Sequence, residues 1–361
     1  MGLWQRITEQ GASLRRVKRY VSLFLVGVGL SVAIASCGGG TTGQAGNQAG
    51  NGDVNLTLVS FAVTRAAHDE IIPRFVEQWR QEHNQNVTFN QSYGGSGSQT
   101  RAVIDGLEAD VVHLAIGMDV DNIERAGLIQ PGWRQEAPNG GIVSRSVGAL
   151  VTREGNPKGI KNWPDLAKND VSVITANPKT SGVARWNFLG LWGSVTQTGG
   201  DDAKAQNFVA QVFENVPVLP RDAREATDVF FKQGQGDVLI NYENEMILAQ
   251  QQGQKLPYII PEVNISIDNP IAVVDQNVDK HGTREVAEAF VQFLYTPESQ
   301  KTFAKYGFRP SDPAAGKEVG GQFPPVQTLF TAQDLGGWDE IQKKFFADGA
   351  IFDQIQANLR R

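Results

Sequence analysis

The 361-residue chain carries 33 Lys and Arg against 39 Asp and Glu, with 40% hydrophobic residues, 20% charged residues and one cysteine. That length suits two domains or one large α/β unit, and the apolar share excludes a disordered chain. A single cysteine excludes an internal disulfide framework and a cysteine metal cluster.

At the N-terminus a basic segment, RRVKRY, precedes the apolar run VSLFLVGVGLSVAIA, which meets SCGGG. A positive region, a short apolar region and small residues before a cut predict a secretory signal, with a single membrane-spanning anchor as the alternative. The run Ile34-Ala35-Ser36-Cys37 resembles a bacterial lipobox, so residues 1–36 are expected to be removed and Cys37 to take the lipid. Arg15 and Arg16 suggest twin-arginine export, but their flanking residues fit it poorly. Without this leader the chain has 28 cations and 38 anions, a net charge of −10. So acidic a body excludes nucleic acid and anionic membrane surfaces as partners, and any anion it binds must be held by local dipoles. Residues 37–53, rich in Gly, Asn, Gln and Thr, read as a flexible tether reaching about 20 Å or more.

From Val54 onward, strand-like and helix-like patterns alternate. VNLTLVSFAV reads as a buried strand, and DEIIPRFVEQWRQEH as a helix with Ile71, Ile72, Phe75 and Trp79 on one face. NVTFNQSY and ADVVHLAI read as strands either side of the helix SQTRAVIDGL, and Asp119 and Asp121 start another helix as a cap with a dipole partner. Further on, VSVITANP reads as a strand, SGVARWNFLGLWGS and AKAQNFVAQVFENV as helices, and GDVLINYENEMILAQQ as a strand entering a helix. NISIDNPIAVVD is extended, and GTREVAEAFVQFLYTPESQKTFAKY helical. This alternation predicts an α/β fold with mostly parallel sheets flanked by helices. Apolar stretches near 146–152 and 265–274 mark where the chain crosses between two lobes.

In open α/β sheets, ligands sit where strands end and helices begin. Four such turns stand out: SFAVTR at 60–65, GGSGSQ at 94–99, NPKTSGVARW at 177–186 and PRDAREATDVF at 220–230. Gly lets backbone approach a ligand closely, and Ser adds a neutral donor; each turn alone also reads as an ordinary capped helix start. Catalytic motifs fail. No glycine pair is followed by Lys-Ser or Lys-Thr, position 100 is Thr rather than a third glycine, and no G-x-S-x-G occurs around Ser96. His68, His83, His113 and His281 are scattered, and His113 reads as a satisfied core residue. No catalytic residue, metal site or cofactor is expected.

Taken together, VSFAVTR, QSYGGSGSQ, GLEADVVHLA, REGNPKGIKNWPDL, VITANPKTSGVARWNF, GDVLINYENE and GFRP, in this order, resemble the sulfate-binding proteins of ATP-driven sulfate/thiosulfate importers. The resemblance runs from about Val54 to GGWDEIQKKFFADGAIFDQI near the C-terminus. It implies a two-lobed, type II periplasmic-binding-protein fold closing over a sulfate ion. Residues 54–148 would form the first part of lobe 1, 149–266 lobe 2, and 267–361 the return to lobe 1 with C-terminal helices. The implied sulfate contacts are the backbone N–H of Ala62, the N–H and hydroxyl of Ser96, the hydroxyl of Ser181, the N–H groups of Gly182, Val183 and Ala223, and Tyr242. Tyr242 stands where the family has a tryptophan whose indole N–H points at sulfate. Val183 replaces a usual glycine, and Ala62 a frequent aspartate. Asp110, Arg185 and Arg224 would steady the peptide dipoles from behind.

The resemblance further implies a non-enzymatic, monomeric receptor, periplasmic and lipid-tethered, that delivers sulfate to the permease subunits of an ABC importer. With no carboxylate among the contacts, the proton of phosphate would go unpaired. The alternatives are the same fold holding thiosulfate, molybdate or phosphate, or a secreted hydrolase or phosphoryl-transfer enzyme using the serine loops.

Overall fold

The computed structural model describes residues 52–359 apart from Lys255. The signal segment 1–36, Cys37 and nearly all of the tether lie outside the described residues. Among the described residues no helix is long and apolar enough to cross a membrane.

In chain order the strands are β1 (Val54–Phe61), β2 (Val87–Gly94), β3 (Val111–His113), β4 (Ile142–Ser146), β5 (Gly148–Thr152), β6 (Val173–Ile174), β7 (Val238–Tyr242), β8 (Tyr258–Ile259), β9 (Val263–Ile265), β10 (Ile267–Val273), β11 (Arg309–Pro310) and β12 (Thr328–Phe330). Six of them form one sheet in the order β11-β4-β10-β3-β1-β2, and four a second in the order β6-β7-β5-β8. β1 runs parallel to β2 from Val54↔Val87 to Phe61↔Gly94, and parallel to β3. The carboxyl ends of these three strands therefore share one edge. In the second sheet β6 and β7 are parallel, which gives that sheet an equivalent edge. β5 and β7 are buried at every position, as strands covered on both faces must be.

The sheets are mixed, because β10 and β4 run antiparallel to their neighbours in the first and β5 does so in the second. Only Val147 separates β4 from β5, so the chain passes between the two sheets there, and only Ser266 separates β10 from β9, which pairs with β12 in a separate two-stranded sheet. A strand that arrives from the other sheet runs back against its new neighbours. The stretch 282–306 is broken into the helices Arg284–Phe293 and Pro297–Lys305. Pro297 lacks a backbone donor and suits only a first helical turn, where the Thr296 hydroxyl accepts from Ser299 N–H.

The C-terminal residues divide between the sheets. β11 joins the six-stranded sheet, but β12 pairs with β9, and Phe330 packs so closely on Gly193 that a Cβ there would fall 2.0 Å from its Cζ. Phe345, Phe346 and Phe352 then surround Phe188 in the Gly182–Thr196 helix. Phe330 and residues 345–352 thus pack with the 182–196 helix, within the stretch 267–361 expected to hold the return to lobe 1 and C-terminal helices.

Beneath the edge of β1, the two fully buried histidines His68 and His113 form a chain. Tyr93 Oη donates to Gln91 Oε1 at 2.7 Å, and so accepts from His68 Nδ1 at 3.0 Å. His68 Nε2 in turn accepts from His113 Nδ1 at 3.0 Å. That order leaves His113 Nε2 as a bare nitrogen, buried and without a partner among the described residues. His113 is therefore a core residue, as its apolar strand suggests, but only half satisfied. Burial lowers the His68 pKa to about 3 and pushes His113 well below the usual range. Both rings are neutral when folded, yet each takes up a proton below about pH 6.5 once unfolded. Stability is therefore complete above that pH and is lost as pH falls from about 6.5 toward 3, by about 2 kcal/mol at pH 5 for His68, with His113 adding in the same direction. Urea unfolding across this range should show that slope, and His113→Gln should lose one proton's worth of it. An unchanged slope in the variant would clear the pair of responsibility.

Candidate anion site

The two strand edges bring helix starts together. After β2, Gly95 is the extended N-cap of the helix Ser96–Ile104. Ser181 holds the same place before Gly182–Thr196, Asp222 before Ala223–Phe231, and Tyr242, the last residue of β7, before Glu243–Gln251. β1 ends at Phe61, where Ala62 opens a single 3-10 turn. The first N–H groups of a helix have no partner inside it and carry the positive end of its dipole. Ser96, Gly182, Val183 and Ala223 supply such groups, with no hydrogen-bond acceptor among the described residues.

All seven expected contact residues line one cavity: Ala62, Ser96, Ser181, Gly182, Val183, Ala223 and Tyr242, joined by Phe61, Gly94, Gly95, Ala115 and Asp222. Its cavity volume is about 10 Å³, far less than the 320–770 Å³ of the open clefts elsewhere on the surface. Those clefts are wide enough for bulky ligands, but none gathers unpaired donors as this one does. No lysine, arginine or histidine lines the cavity. Two glycines make it this tight. A Cβ on Gly182 would stand 2.4 Å from Ala115 Cβ, and one on Gly95 would stand 2.5 Å from the Thr180 carbonyl oxygen.

Three hydroxyls reach the site in different states. Tyr242 is 1% exposed, and its Oη has no hydrogen-bond partner among the described residues. Burial, with the Asp119 and Glu245 charges nearby, pushes its pKa well above the ordinary tyrosine value, so it keeps its proton as a donor. Ser181 is buried at an N-cap but does not cap its own helix, which leaves its hydroxyl free to turn inward. Ser96 departs from expectation: its hydroxyl donates to Asp119 Oδ2 at 2.5 Å and accepts from Ala115 N–H at 3.0 Å. In this arrangement Ser96 has only its backbone N–H to give.

The charges stand behind the wall. Asp119 is fully enclosed and pairs with Arg185 Nη1 at 3.0 Å, while Arg185 Nε donates to the Pro178 carbonyl at 2.9 Å. Arg224 Nη2 meets Glu245 Oε1 at 2.7 Å, and the Thr227 hydroxyl holds the other oxygen. Burial raises the Glu245 pKa despite Arg224. Arg185 and Arg224 thus both sit behind the loops that they were expected to support. Asp110 does not: it lies at the far end of β3, accepting from Thr57 N–H at 2.7 Å and the Thr283 hydroxyl at 2.6 Å, with His281 at 2.8 Å. The carboxylate behind the site is Asp119, in the first turn of the Gly117–Arg125 helix, where the sequence suggested only a cap. Asp222, which is not among the expected contacts, also lines the cavity. One oxygen accepts from Glu225 N–H at 2.9 Å, and the other lies 3.6 Å from the exposed Arg221 Nε, beyond hydrogen-bond distance.

Among the described residues no three His, Cys, Asp or Glu side chains are grouped to hold a metal ion. The arrangement offers converging donors; its one serine–carboxylate contact, Ser96 to Asp119, involves a carboxylate already paired with Arg185.

Residues 56–309 match the family model of the bacterial extracellular solute-binding protein. The chain is 61% identical over 327 residues to the sulfate-binding protein of Synechococcus elongatus, covering 90% of this chain and 92% of that one. It is 39% identical to the thiosulfate-binding protein of Pseudomonas aeruginosa, over 83% and 91% of the two chains. Among solved structures it resembles the sulfate-binding protein SubI from Mycobacterium tuberculosis, with a TM-score of 0.75 and 37% identity over 81% of this chain and all of that one. The α/β architecture is that of a type II periplasmic binding protein. With its donors at strand ends and its fold matched along most of its length, the chain belongs to the family of bacterial extracellular solute-binding proteins.

Proposed function

We propose that this chain captures sulfate, with thiosulfate as a second ligand, outside the cytoplasmic membrane and delivers it to the membrane permease of an ABC importer. It does so as a monomeric receptor without catalysis, tethered through lipid on Cys37. The observation that carries the reading is the convergence of unpaired N–H groups and the partnerless Tyr242 hydroxyl on one small cavity free of cations. Relatives that carry sulfate-binding and thiosulfate-binding names support the choice of anion.

A dehydrated dianion is held when each of its oxygens meets fixed donors. Hydrogen bonds to a charged group contribute about 1.5–3 kcal/mol each. The backbone N–H groups of Ala62, Ser96, Gly182, Val183 and Ala223, with the hydroxyls of Ser181 and Tyr242, form such a set. Asp119–Arg185 and Glu245–Arg224 neutralise one another behind it, so the cavity wall presents dipoles rather than full charges. Phosphate at neutral pH keeps one proton, which among the proposed contact groups meets donors rather than a carboxylate acceptor; Asp222 in the lining caps its own helix through Glu225 N–H.

Calorimetric titration of the leaderless protein with sulfate, thiosulfate, molybdate and phosphate across pH tests this directly. Sulfate should bind, and phosphate should gain only as pH rises and its protons leave, or not at all; tighter binding of molybdate would reassign the cargo. Tyr242→Phe should weaken sulfate binding by about 10- to 100-fold while leaving the ligand-free protein at least as stable, since it removes an unpaired buried hydroxyl. Equal affinity would remove Tyr242 from the contact set. Gly182→Ala should cost affinity for a steric reason, because its methyl meets Ala115 and holds the walls apart; undiminished binding would show that the walls need not approach so closely.

A further inference from the structure

Outside the cavity, residues 331–341 make contacts that neither the fold nor the anion donors require. Both flanks of this segment belong to the Gly182–Thr196 wall: Phe330 is locked on Gly193 before it, and Phe345 packs on Trp192 at 4.8 Å after it. Lys344 adds an ion pair to Asp202 at 2.7 Å. The middle of the segment reaches the opposite wall. Gly336 and Gly337 have φ of 94° and 82°, a left-handed pair that swings the chain outward just before Trp338. Trp338 then lies against Gly117, where a Cβ would come within 3.3 Å of its Cδ1 and Nε1. Its ring also stands edge-on to Trp186 at 4.8 Å, and Trp186 itself donates to the Ala115 carbonyl at 2.7 Å. Asp339 pairs with Arg125 at 2.5 Å, at the other end of the same Gly117–Arg125 helix.

That helix carries Asp119, which holds Ser96 on its own side and Arg185 on the other. Moving it would shift the cavity wall. From this geometry we propose that residues 331–341 are a clasp: Trp338 and Asp339 are positioning residues that hold the Gly117–Arg125 helix against the Gly182–Thr196 helix and slow release of the anion. The proposal rests on the reading of the cavity as an anion site. Because Trp338 is half-buried and Arg125 and Asp339 are largely exposed, the clasp adds little to global stability. Its contribution falls on the equilibrium between joined and parted walls, and apparent affinity follows the fraction of molecules with joined walls.

Stopped-flow and calorimetric binding of sulfate to the leaderless chain test the clasp. Trp338→Ala should weaken binding roughly fivefold or more, chiefly through faster dissociation, with the unfolding midpoint of the ligand-free protein nearly unchanged. Trp338→Phe should restore most of the affinity. Arg125→Glu should weaken binding, and adding Asp339→Arg to it should recover the loss, which a merely structural role would not produce. Wild-type affinity and dissociation rate in Trp338→Ala would overturn the clasp. Hydrogen exchange supplies a readout independent of the ligand. Amides of residues 117–125 should exchange faster in Trp338→Ala, or in Arg125→Glu if the first variant does not fold; unchanged protection overturns the proposal. If the wild-type protein binds no sulfate, the anion assignment fails and the exchange experiment still decides the clasp.

Discussion

A helix start can hold an anion only if the backbone itself reaches it, and several starts can share one anion only if nothing projects between them. In this protein that constraint falls on Gly95 and Gly182. Each sits where an added methyl would collide with the facing wall, Gly95 against the Thr180 carbonyl and Gly182 against Ala115. Their bareness lets the loop after β2 meet the loop before the 182–196 helix at backbone distance. Parallel strands do the rest, because β1, β2 and β3 end on one edge and β6 and β7 on another. The sheets fix the direction of the dipoles, and the glycines fix their separation.

The same constraint explains how so acidic a body can attract a dianion. A lysine inside the cavity would add charge, but also a flexible chain to order and a cation to desolvate. Backbone donors cost neither, since folding has already ordered them. The buried charges are instead paired one step away. Arg185 is tied to Asp119 and to the Pro178 carbonyl, and so braces the loop that carries Ser181 without touching the cavity. Glu245 does the equivalent for Arg224 beside Ala223. In each case the net charge behind the wall is close to zero, and the local field in the cavity belongs to the helix starts.

What the sequence disclosed and what it hid divide along this line. The four strand-to-helix turns were readable because Gly and Ser at a strand end have few other reasons to cluster, and the seven contact positions do meet in one cavity. Side-chain pairing was not readable. Asp110 and Asp119 lie on the two sides of β3 in the same short stretch, and nothing local says that the first serves Thr57 and Thr283 while the second serves Ser96 and Arg185. Nor could spacing show that the Ser96 hydroxyl gives its proton to a carboxylate. The His68–His113 pair was hidden for the same reason, since 45 residues separate partners that packing places 3.0 Å apart. The antiparallel strands went unforeseen because hydrophobic pattern reports burial and period, but not the direction from which a strand arrives.

Chain crossings complete the design. Val147 carries the backbone from the six-stranded to the four-stranded sheet, and Ser266 from the β9–β12 pair to the six-stranded sheet, each as a single residue inside otherwise extended chain, so a change of angle there need disturb few hydrogen bonds. A joint so slight sets no closed position by itself; that must come from contacts made where the walls meet. Behind the cavity wall the buried Asp119–Arg185 pair provides one. On the outside, the chain returns from β11 to β12 and lays Trp338 over Gly117 and Trp186. Contacts between the walls thus lie on both sides of the cavity, the buried Asp119–Arg185 pair behind it and the Trp338 ring outside it.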